Sequence, residues 1–330
     1  MDLKPNKAPL ISVVFSFRNE ALGIAELVKR CRKVMAELRS RGRISNHELI
    51  FVNDASTDNS VFILMELAAE LHDIRILNMS RNFGVAPCVM AGLAYARGEV
   101  VVYMDADLQD PPEIIPEMLA AWQAGGVDVV HTVRRSRQGE PALKLWVTGI
   151  GYAILNRYCA VKIPKEAGDF KLLSRRVVDH LLTLKEQNPF MRGLVSWVGF
   201  RQVFISYDRA ARFSGASKFF VLSRKVISNF FNSAIVNFSA VPLQIASYLG
   251  LTAIFVDLFF IGHVLIEKLA GRAIPGWTAI MTIVLFIGGI QLFCVGMIGL
   301  YLNAVHEQSK MRPRYIVEST YGFPGENGGA

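Results

Sequence analysis

The 330-residue chain contains only four cysteines, and they are scattered with no spacing typical of a zinc site or a disulfide framework. This scarcity favours a reduced compartment. Charged residues are also few, at 19% of the chain, against 52% hydrophobic residues. The sequence has no P-loop, no metalloprotease motif and no Ser-His-Asp pattern, and His131, His180 and His263 have no acid or nucleophile at a telling distance along the chain.

Charge is missing altogether from two long stretches near the C-terminus. Residues 226–266 carry a single formal charge, Asp257, and residues 273–305 carry none. Each stretch exceeds the ~20 residues that cross a bilayer, so the sequence predicts transmembrane helices at 241–266 and 277–302. Residues 213–240, which mix aromatic and basic side chains, are predicted to form interfacial helices. Buried core helices are the alternative, and Asp257 inside a span is a candidate partner contact.

The N-terminal residues MDLKPNKAPL contain no apolar segment of the kind found in secretory signals. With two spans, the catalytic part and both termini are expected on the cytosolic side. The formal net charge is +8. Because Arg224, Lys225, Lys310, Arg312 and Arg314 flank the apolar stretches, this charge favours membrane lipids over nucleic acid.

Short apolar runs alternate with helical patterns over the first 212 residues, which we assign to one α/β domain. Strands are predicted at Leu10–Phe17, His47–Val52, Ile74–Met79, Val100–Met104 and Val127–Val133. Strand–helix alternation of this kind indicates a doubly wound, mostly parallel sheet. Residues 303–330 are predicted to be a C-terminal tail.

The strand at Val100–Met104 ends in acids. Asp105 and Asp107 lie two residues apart and can converge on one hard cation, with Asp110 one turn further on. Ligands of open α/β sheets bind at the carboxyl ends of strands. The same acids also fit a turn that caps the helix beginning near Pro112.

Other polar residues follow the remaining strands. Asp54 is placed to contact a base or ribose, although Asp54 and Asp58 also fit an Asx turn and a helix N-cap. Asp169, after Gly168, fits an orienting carboxylate, a general base or a plain turn residue. Several arginines and one lysine fit an anionic second substrate or a solvated basic surface, namely Arg134, Arg135, Arg137, Arg192, Arg201, Arg209, Arg212 and Lys218.

Taken together, five segments strongly resemble the family 2 glycosyltransferases that act on polyprenyl phosphates. The segments are Asn19-Glu20, residues 53–58 (NDASTD), residues 81–84 (RNFG), residues 105–113 (DADLQDPPE) and residues 168–170 (GDF). The resemblance covers nearly the whole chain, and the two spans with the closing Arg312-Pro313-Arg314-Tyr315 look most like the bacterial branch. Arg18 departs from the tyrosine that many relatives have there.

This resemblance implies a GT-A fold, a nucleotide-diphosphate sugar donor, Mg²⁺ or Mn²⁺, and inversion at the anomeric carbon. It implies that Asn19, Glu20, Asp54, Asp105, Asp107 and Arg81 bind the nucleotide sugar, that Asp105 and Asp107 hold metal, and that Asp169 and Asp107 are catalytic. Arg134, Arg137, Arg209 and Lys218 are the candidates for the lipid phosphate.

The expected activity is transfer of one sugar, from UDP-glucose, to undecaprenyl phosphate by a homo-oligomer in the bacterial inner membrane. The Gln-x-x-Arg-Trp signature of processive synthases is missing, which favours a single transfer. An amino-arabinose or GDP-mannose donor, or an inactive membrane scaffold, are the alternatives.

Overall fold

The computed structural model describes residues 8–134, 167–187, 189–208 and 276–323, and scattered positions between 243 and 270. The chain divides into two compact units. The first, here the sheet unit, comprises residues 1–153, 161–221 and 312–330. The second, here the helical unit, comprises residues 154–160 and 222–311.

The elements of the sheet unit alternate between strands and helices as far as β5. In chain order they are β1 (Leu10–Phe17), α1 (Ile24–Ser40), β2 (Asn46–Asn53), α2 (Ser60–Glu70), β3 (Ile74–Met79), α3 (Val85–Tyr95), β4 (Val100–Asp105), a 3₁₀ turn (Pro112–Ile114), α4 (Ile115–Gln123), β5 (Val129–Arg134), β6 (Ala167–Ser174), α5 (Arg175–Thr183), α6 (Met191–Trp197), β7 (Gln202–Tyr207) and β8 (Val317–Tyr321). The five predicted strands are confirmed to within two residues at each end.

The eight strands form one sheet in the order β7-β5-β6-β4-β1-β2-β3-β8. Strands β4, β1, β2 and β3 are parallel, as predicted, and β5 and β7 are parallel to each other. The prediction of a mostly parallel sheet was wrong outside this centre, because β6 runs antiparallel to both β4 and β5, and β8 runs antiparallel to β3. The result is a mixed sheet.

Helices cover both faces of the parallel centre. Helix α1 buries an apolar stripe at helical spacing that includes Leu27, Val34 and Leu38, and this stripe packs on the face of Phe15 and Phe51. The rings of Phe15 and Phe51 stack with centroids 4.6 Å apart. The opposite face meets α3 so closely that a Cβ on Gly92 would lie 2.2 Å from a Val14 methyl group. Since both faces are covered, the central strands are apolar throughout.

The C-terminal segment rejoins the sheet unit after the helical unit. Strand β8 pairs with β3, and the amide of Ser80 donates to the Ile316 carbonyl at 3.0 Å. The ring of Phe323 then packs edge-on against Tyr95, with centroids 5.2 Å apart. Residues 303–330 had been predicted only as a tail, so this pairing covers a sheet edge that the sequence did not indicate.

The helical unit contains α7 (Trp277–Ser309), 33 residues long. Within it, residues Phe286–Ser309 are long and apolar enough to cross a membrane. This is the one such helix in the part of the chain that is described. The predicted span at 241–266 falls mostly outside the described residues, and its described positions up to Ile266 are helical. The Cys294 thiol donates to the Ala246 carbonyl at 3.2 Å, which places the two segments side by side.

Candidate active site

The candidate residues meet at one edge of the sheet because the strand registers align there. Phe17 pairs with Asn53, Asn53 with Asn78, and Ser16 with Asp105, so the carboxyl ends of the four parallel strands lie level. The antiparallel strand β6 contributes its beginning to the same edge. Lys171 pairs with Tyr103. Because the two strands are antiparallel, Asp169, two residues before Lys171, lies level with Asp105, two residues after Tyr103.

Four carboxylates act on one another at this edge. Burial, together with the charges of Asp169, Asp107 and Asp110, raises the pKa of Asp105 to about 7, although the Ser16 hydrogen bond opposes this rise. Asp105 accepts a hydrogen bond from the Ser16 hydroxyl at 3.2 Å. The buried Asp110 is bound by the Tyr207 hydroxyl. This concentration of negative charge favours a cation at the edge.

The donor set also suits a hard divalent cation. No group of three or more metal-binding side chains occurs among the described residues. Mg²⁺, however, is commonly held by one or two carboxylates together with substrate phosphates. Asp105 and Asp107, partly exposed at the strand end, offer oxygen ligands of that kind. The residues present therefore fit the ion that the sequence predicted.

Asp169 is paired with Arg192 by two hydrogen bonds. The Arg192 Nε donates to one carboxylate oxygen at 3.0 Å, and Nη2 donates to the other at 2.6 Å. Asp169 lies inside β6, so the alternative of a plain turn residue was wrong. Arg192, at the start of α6, was predicted only as one of many basic residues, because nothing in the linear sequence links it to Asp169.

The turns after β1 and β2 are tied together. The backbone amide of Asn19 donates to the Ser56 hydroxyl at 3.1 Å, and the Asn19 side-chain oxygen accepts from the Thr57 amide at 2.8 Å. The amide of Glu20 donates to the Ser60 hydroxyl at 2.9 Å. Asp58 accepts hydrogen bonds from the hydroxyl and amide of Ser60 and from the amide of Ala21. Burial opposes its charge, but these bonds lower the pKa of Asp58. Asp58 thus forms an Asx turn just before α2, in keeping with the Asx-turn alternative, whereas the N-cap residue of α2 is Asn59.

Asp54 organises a third turn, between β3 and α3. Its carboxylate accepts from the amides of Phe83 at 2.6 Å and Gly84 at 3.1 Å, and from the Asn82 side chain at 2.5 Å. Arg81 in this turn lies over the Phe83 ring, 4.0 Å from its centroid. Asp54 is 6% exposed. It therefore shapes the RNFG turn, and its predicted contact with a nucleotide stays a prediction.

A cavity of about 270 Å³ lies beside the acids. Its lining includes Tyr103, Asp169 and Arg192, and its apolar wall comes from α3 and from the segment that enters α6. The lining residues are Val85, Ala86, Val89, Tyr103, Asp169, Pro189, Phe190, Met191 and Arg192. A small polar ligand can thus reach the Asp169–Arg192 pair against an apolar surface.

Three polar side chains are buried in a row across β4, β6 and β5, and the sequence had not indicated them. They are Tyr103, Lys171 and His131, which occupy paired positions on the three strands. Burial lowers the pKa of Lys171 to about 7, against the opposing effect of Asp169. Burial, reinforced by Lys171, also lowers the pKa of His131 to about 4. Burial therefore disfavours the charged forms of Lys171 and His131 in this row.

The basic residues predicted for a lipid phosphate are the least defined part of the site. Arg134 is the last residue of β5, where its backbone pairs with Tyr207 at the same edge as the acids. Arg137, Arg209 and Lys218 lie outside the described residues, as does Asp257. Their predicted roles stay predictions.

The chain matches known proteins over most of its length. The model of the family described as glycosyl transferase family 2 matches residues 12–182. An uncharacterised glycosyltransferase of Synechocystis sp. is 37% identical over 95% of this chain and 96% of its own. A protein named bactoprenol glucosyl transferase, from Shigella phage SfV, is 36% identical over 82% of this chain and 88% of its own.

Among solved structures, glucosyl-3-phosphoglycerate synthase from Mycobacterium tuberculosis aligns over 68% of this chain and 80% of its own. The identity is 20% and the TM-score 0.43. The family match covers nearly all of the elements from β1 to α5, and with them the acidic edge, the turns after β1, β2 and β3, and Asp169. The chain is a glycosyltransferase enzyme with a GT-A-like mixed α/β sheet, and it belongs to glycosyl transferase family 2.

Proposed function

We propose that the protein transfers one sugar, glucose from UDP-glucose, to undecaprenyl phosphate at the cytosolic face of the bacterial inner membrane, with inversion and with Mg²⁺ or Mn²⁺. The observation that carries this proposal is the meeting of Asp105, Asp107 and the Asp169–Arg192 pair beside the 270 Å³ cavity. A site that is acidic on one side and holds an arginine on the other suits a metal–diphosphate donor and an anionic acceptor.

The relatives support the choice of sugar and acceptor. Bactoprenol glucosyl transferases of Shigella phages SfV and SfII are 36% and 35% identical to this chain over more than four fifths of its length. Those names describe a glucosyl transfer to a polyprenyl carrier. An aligned region of this length must include the apolar residues 226–266 as well as most of the sheet unit, which favours a membrane lipid as the acceptor here too.

Asp105 and Asp107 would hold the divalent ion. Such an ion neutralises the charge that develops on a departing nucleoside diphosphate. Asn19, Glu20, Asp54 and Arg81 occupy the three turns beside these acids, where they bind the nucleotide sugar. The Arg81–Phe83 stack offers a flat surface for a base.

The acceptor is a phosphate monoester and needs little help from a base. Its second pKa of about 6 leaves it largely dianionic at neutral pH. One phosphate oxygen attacks the anomeric carbon, and the bond from that carbon to the donor diphosphate breaks on the opposite side. The products are a sugar on the lipid monophosphate and UDP. Asp169, with both oxygens already bonded to Arg192, orients the reacting groups. The candidates that bind the lipid phosphate are Arg134, Arg137, Arg209 and Lys218.

The strand pairing supports an even number of membrane crossings. Strands β3 and β8 lie in one sheet, so they share one side of any membrane, yet α7 stands between them in the chain. If α7 crosses the bilayer once, a second crossing is required between β7 and α7. Residues 241–266 are the apolar candidates for it. The predicted homo-oligomer stays a prediction.

The deciding experiment uses the full chain in detergent with undecaprenyl phosphate and a panel of radiolabelled UDP- and GDP-sugars. We expect one labelled lipid product from UDP-glucose that requires Mg²⁺ or Mn²⁺ and disappears with EDTA. Product from another donor would replace glucose in the proposal. No product with any donor, from protein that binds UDP and remains folded, would overturn it.

A further inference from the structure

The C-terminal strand lies next to the strand that leads into the donor-side turns. Strand β8 pairs with β3 from Ile76 to Met79, and β3 in turn pairs with β2 as far as Asn53. The turn that follows Asn53 contains Ser56 and Thr57, which bind the Asn19 turn. The segment that follows the apolar helix in sequence is therefore two strands away from the donor loop, defined here as residues 53–57.

A continuous series of side-chain hydrogen bonds runs from β8 through β3 and β2 to the donor loop. The Asn78 side-chain nitrogen donates to the Ser319 hydroxyl at 3.0 Å, and the Asn53 side-chain nitrogen donates to the Asn78 side-chain oxygen at 3.1 Å. The Asn53 oxygen then accepts from the Ser56 amide at 2.9 Å. Because an asparagine amide carries a donor on one side and an acceptor on the other, each residue in the series fixes the orientation of the next.

The donor loop depends on such support. Ala55 and Asn19 have φ values of 52° and 55°, in the left-handed region that costs an L-residue on the order of 1 kcal/mol. Asn53 is 6% exposed, so its side chain has little water with which to replace a lost partner. Loss of the Asn78 contact would therefore leave a buried amide unpaired next to a strained turn.

We propose that Ser319, Asn78 and Asn53 form a positioning relay through which the C-terminal strand orders the donor loop. Asn78 is the positioning residue at its centre, and β8 sets the orientation of Asn78. The inference rests on the proposed function, in which the donor loop contacts the nucleotide sugar. On this basis the chain gains full donor affinity only when its C-terminal segment has paired with the sheet.

The test compares four variants of the full chain in detergent. Asn78→Ala removes both contacts of the central residue, Ser319→Ala removes only the outer one, and Ser319→Thr keeps the hydroxyl. Glu318→Ala is the matched control, since Glu318 is an exposed neighbour of Ser319 on β8 but is not part of the hydrogen-bonded series from Ser319 through Asn78 to Asn53. Each variant is examined by donor steady-state kinetics and by amide hydrogen exchange of residues 54–58 without donor.

We expect Asn78→Ala to raise the donor KM by about threefold to tenfold, the usual effect of one neutral hydrogen bond, with kcat within about twofold of wild type. Exchange at Ser56 and Thr57 should rise in the same variant. Ser319→Ala should act in the same direction but less, and Ser319→Thr and Glu318→Ala should match the parent protein.

The two measurements separate the relay from the donor role. Unchanged exchange at residues 54–58 in Asn78→Ala would overturn the relay. Faster exchange with an unchanged donor KM would overturn the link between the loop and donor affinity. If the parent protein transfers no sugar at all, the proposed function fails, while the exchange measurement still decides whether β8 orders the loop.

Discussion

At the scale of single residues, the orientation of the Asp169 carboxylate is set by Arg192. Both of its oxygens accept hydrogen bonds from Arg192, and it lies level with Asp105 on the neighbouring strand. A carboxylate held in this way has a fixed direction. In the proposed reaction Asp169 orients the reacting groups rather than removing a proton, because a dianionic acceptor brings no proton that must be removed.

The variant Arg192→Lys tests this arrangement. Lysine cannot make the two parallel bonds of a guanidinium group, so we expect kcat to fall about tenfold to hundredfold, the effect of charge-assisted bonds worth ~1.5–3 kcal/mol. Arg176→Lys is the control, since Arg176, on α5, also pairs with a carboxylate, that of the buried Asp128, at 2.5 Å. Equal losses in the two variants would mean that Arg192 serves only the fold.

The metal assignment is tested with Asp105→Asn and Asp107→Asn. We expect each to lower sugar transfer by at least about a hundredfold, because the amide removes a charge that binds the ion, and to weaken Mn²⁺ binding measured by electron paramagnetic resonance. Asp179→Asn on the exposed face of α5 is the control. Turnover at the parent rate in both variants would eliminate these residues as metal ligands.

At the scale of elements, the end of β8 depends on one glycine. Gly322 has a φ of 81°, and a Cβ there would lie 2.6 Å from the Ile74 carbonyl oxygen. We expect Gly322→Ala to release the end of β8 from β3 and to speed amide exchange at residues 76–79. Gly42→Ala is the control, because Gly42 also has a positive φ but no atom within 4 Å of its Cβ position. Exchange as slow as in the parent protein would contradict the close packing of Gly322 on the Ile74 carbonyl.

Asp73 joins three elements of the sheet unit. It accepts hydrogen bonds from His47 on β2 at 2.8 Å and from Arg32 on α1 at 2.9 Å, just before β3 begins. Burial opposes its charge, but these bonds lower the pKa of Asp73 to about 2, below the ~3.9 of an unfolded aspartate. The resulting stabilisation is therefore fully present above about pH 4 and is lost as the pH falls through 2.

We expect Asp73→Asn to lower the free energy of unfolding by about 1–2 kcal/mol at pH 7, allowing for partial exposure of the group. The difference from the parent protein should shrink as the pH falls from 4 to 2. Denaturant titrations of the full chain in detergent at several pH values measure it. A difference that stays constant across this range would mean that the Asp73 charge does not contribute.

At the scale of the whole molecule, the C-terminal strand constrains the membrane topology. A reporter fused after residue 330 should lie on the same side as one fused to the N-terminus, because β8 and β3 belong to one sheet. A reporter fused after Ala270, between the two apolar stretches, should lie on the opposite side. Reporters on the same side at all three positions would exclude a hairpin of two crossings and would leave α7 as a surface or buried helix.

The sequence by itself determined the parallel centre of the sheet, because runs such as LISVVFSF and VVVYM are short, apolar, rich in β-branched or aromatic residues and bounded by turns, which is typical of strands buried on both faces. It also determined that Asp105 and Asp107 end a strand, and its motifs were specific enough to indicate the family. These features are local, since neighbours in the chain suffice to define them.

Only the tertiary structure decided which distant residues meet. The antiparallel course of β6, the pairing of Arg192 with Asp169 and the return of β8 to β3 all join segments far apart in the chain, and no periodicity within a segment encodes its partner. Ser319 is 241 positions from Asn78 along the chain, yet the two side chains are hydrogen-bonded. Bringing two residues so far apart in the chain together costs conformational entropy, and the packing of the whole sheet compensates for this cost. The pattern of residues within one segment carries no information about that packing.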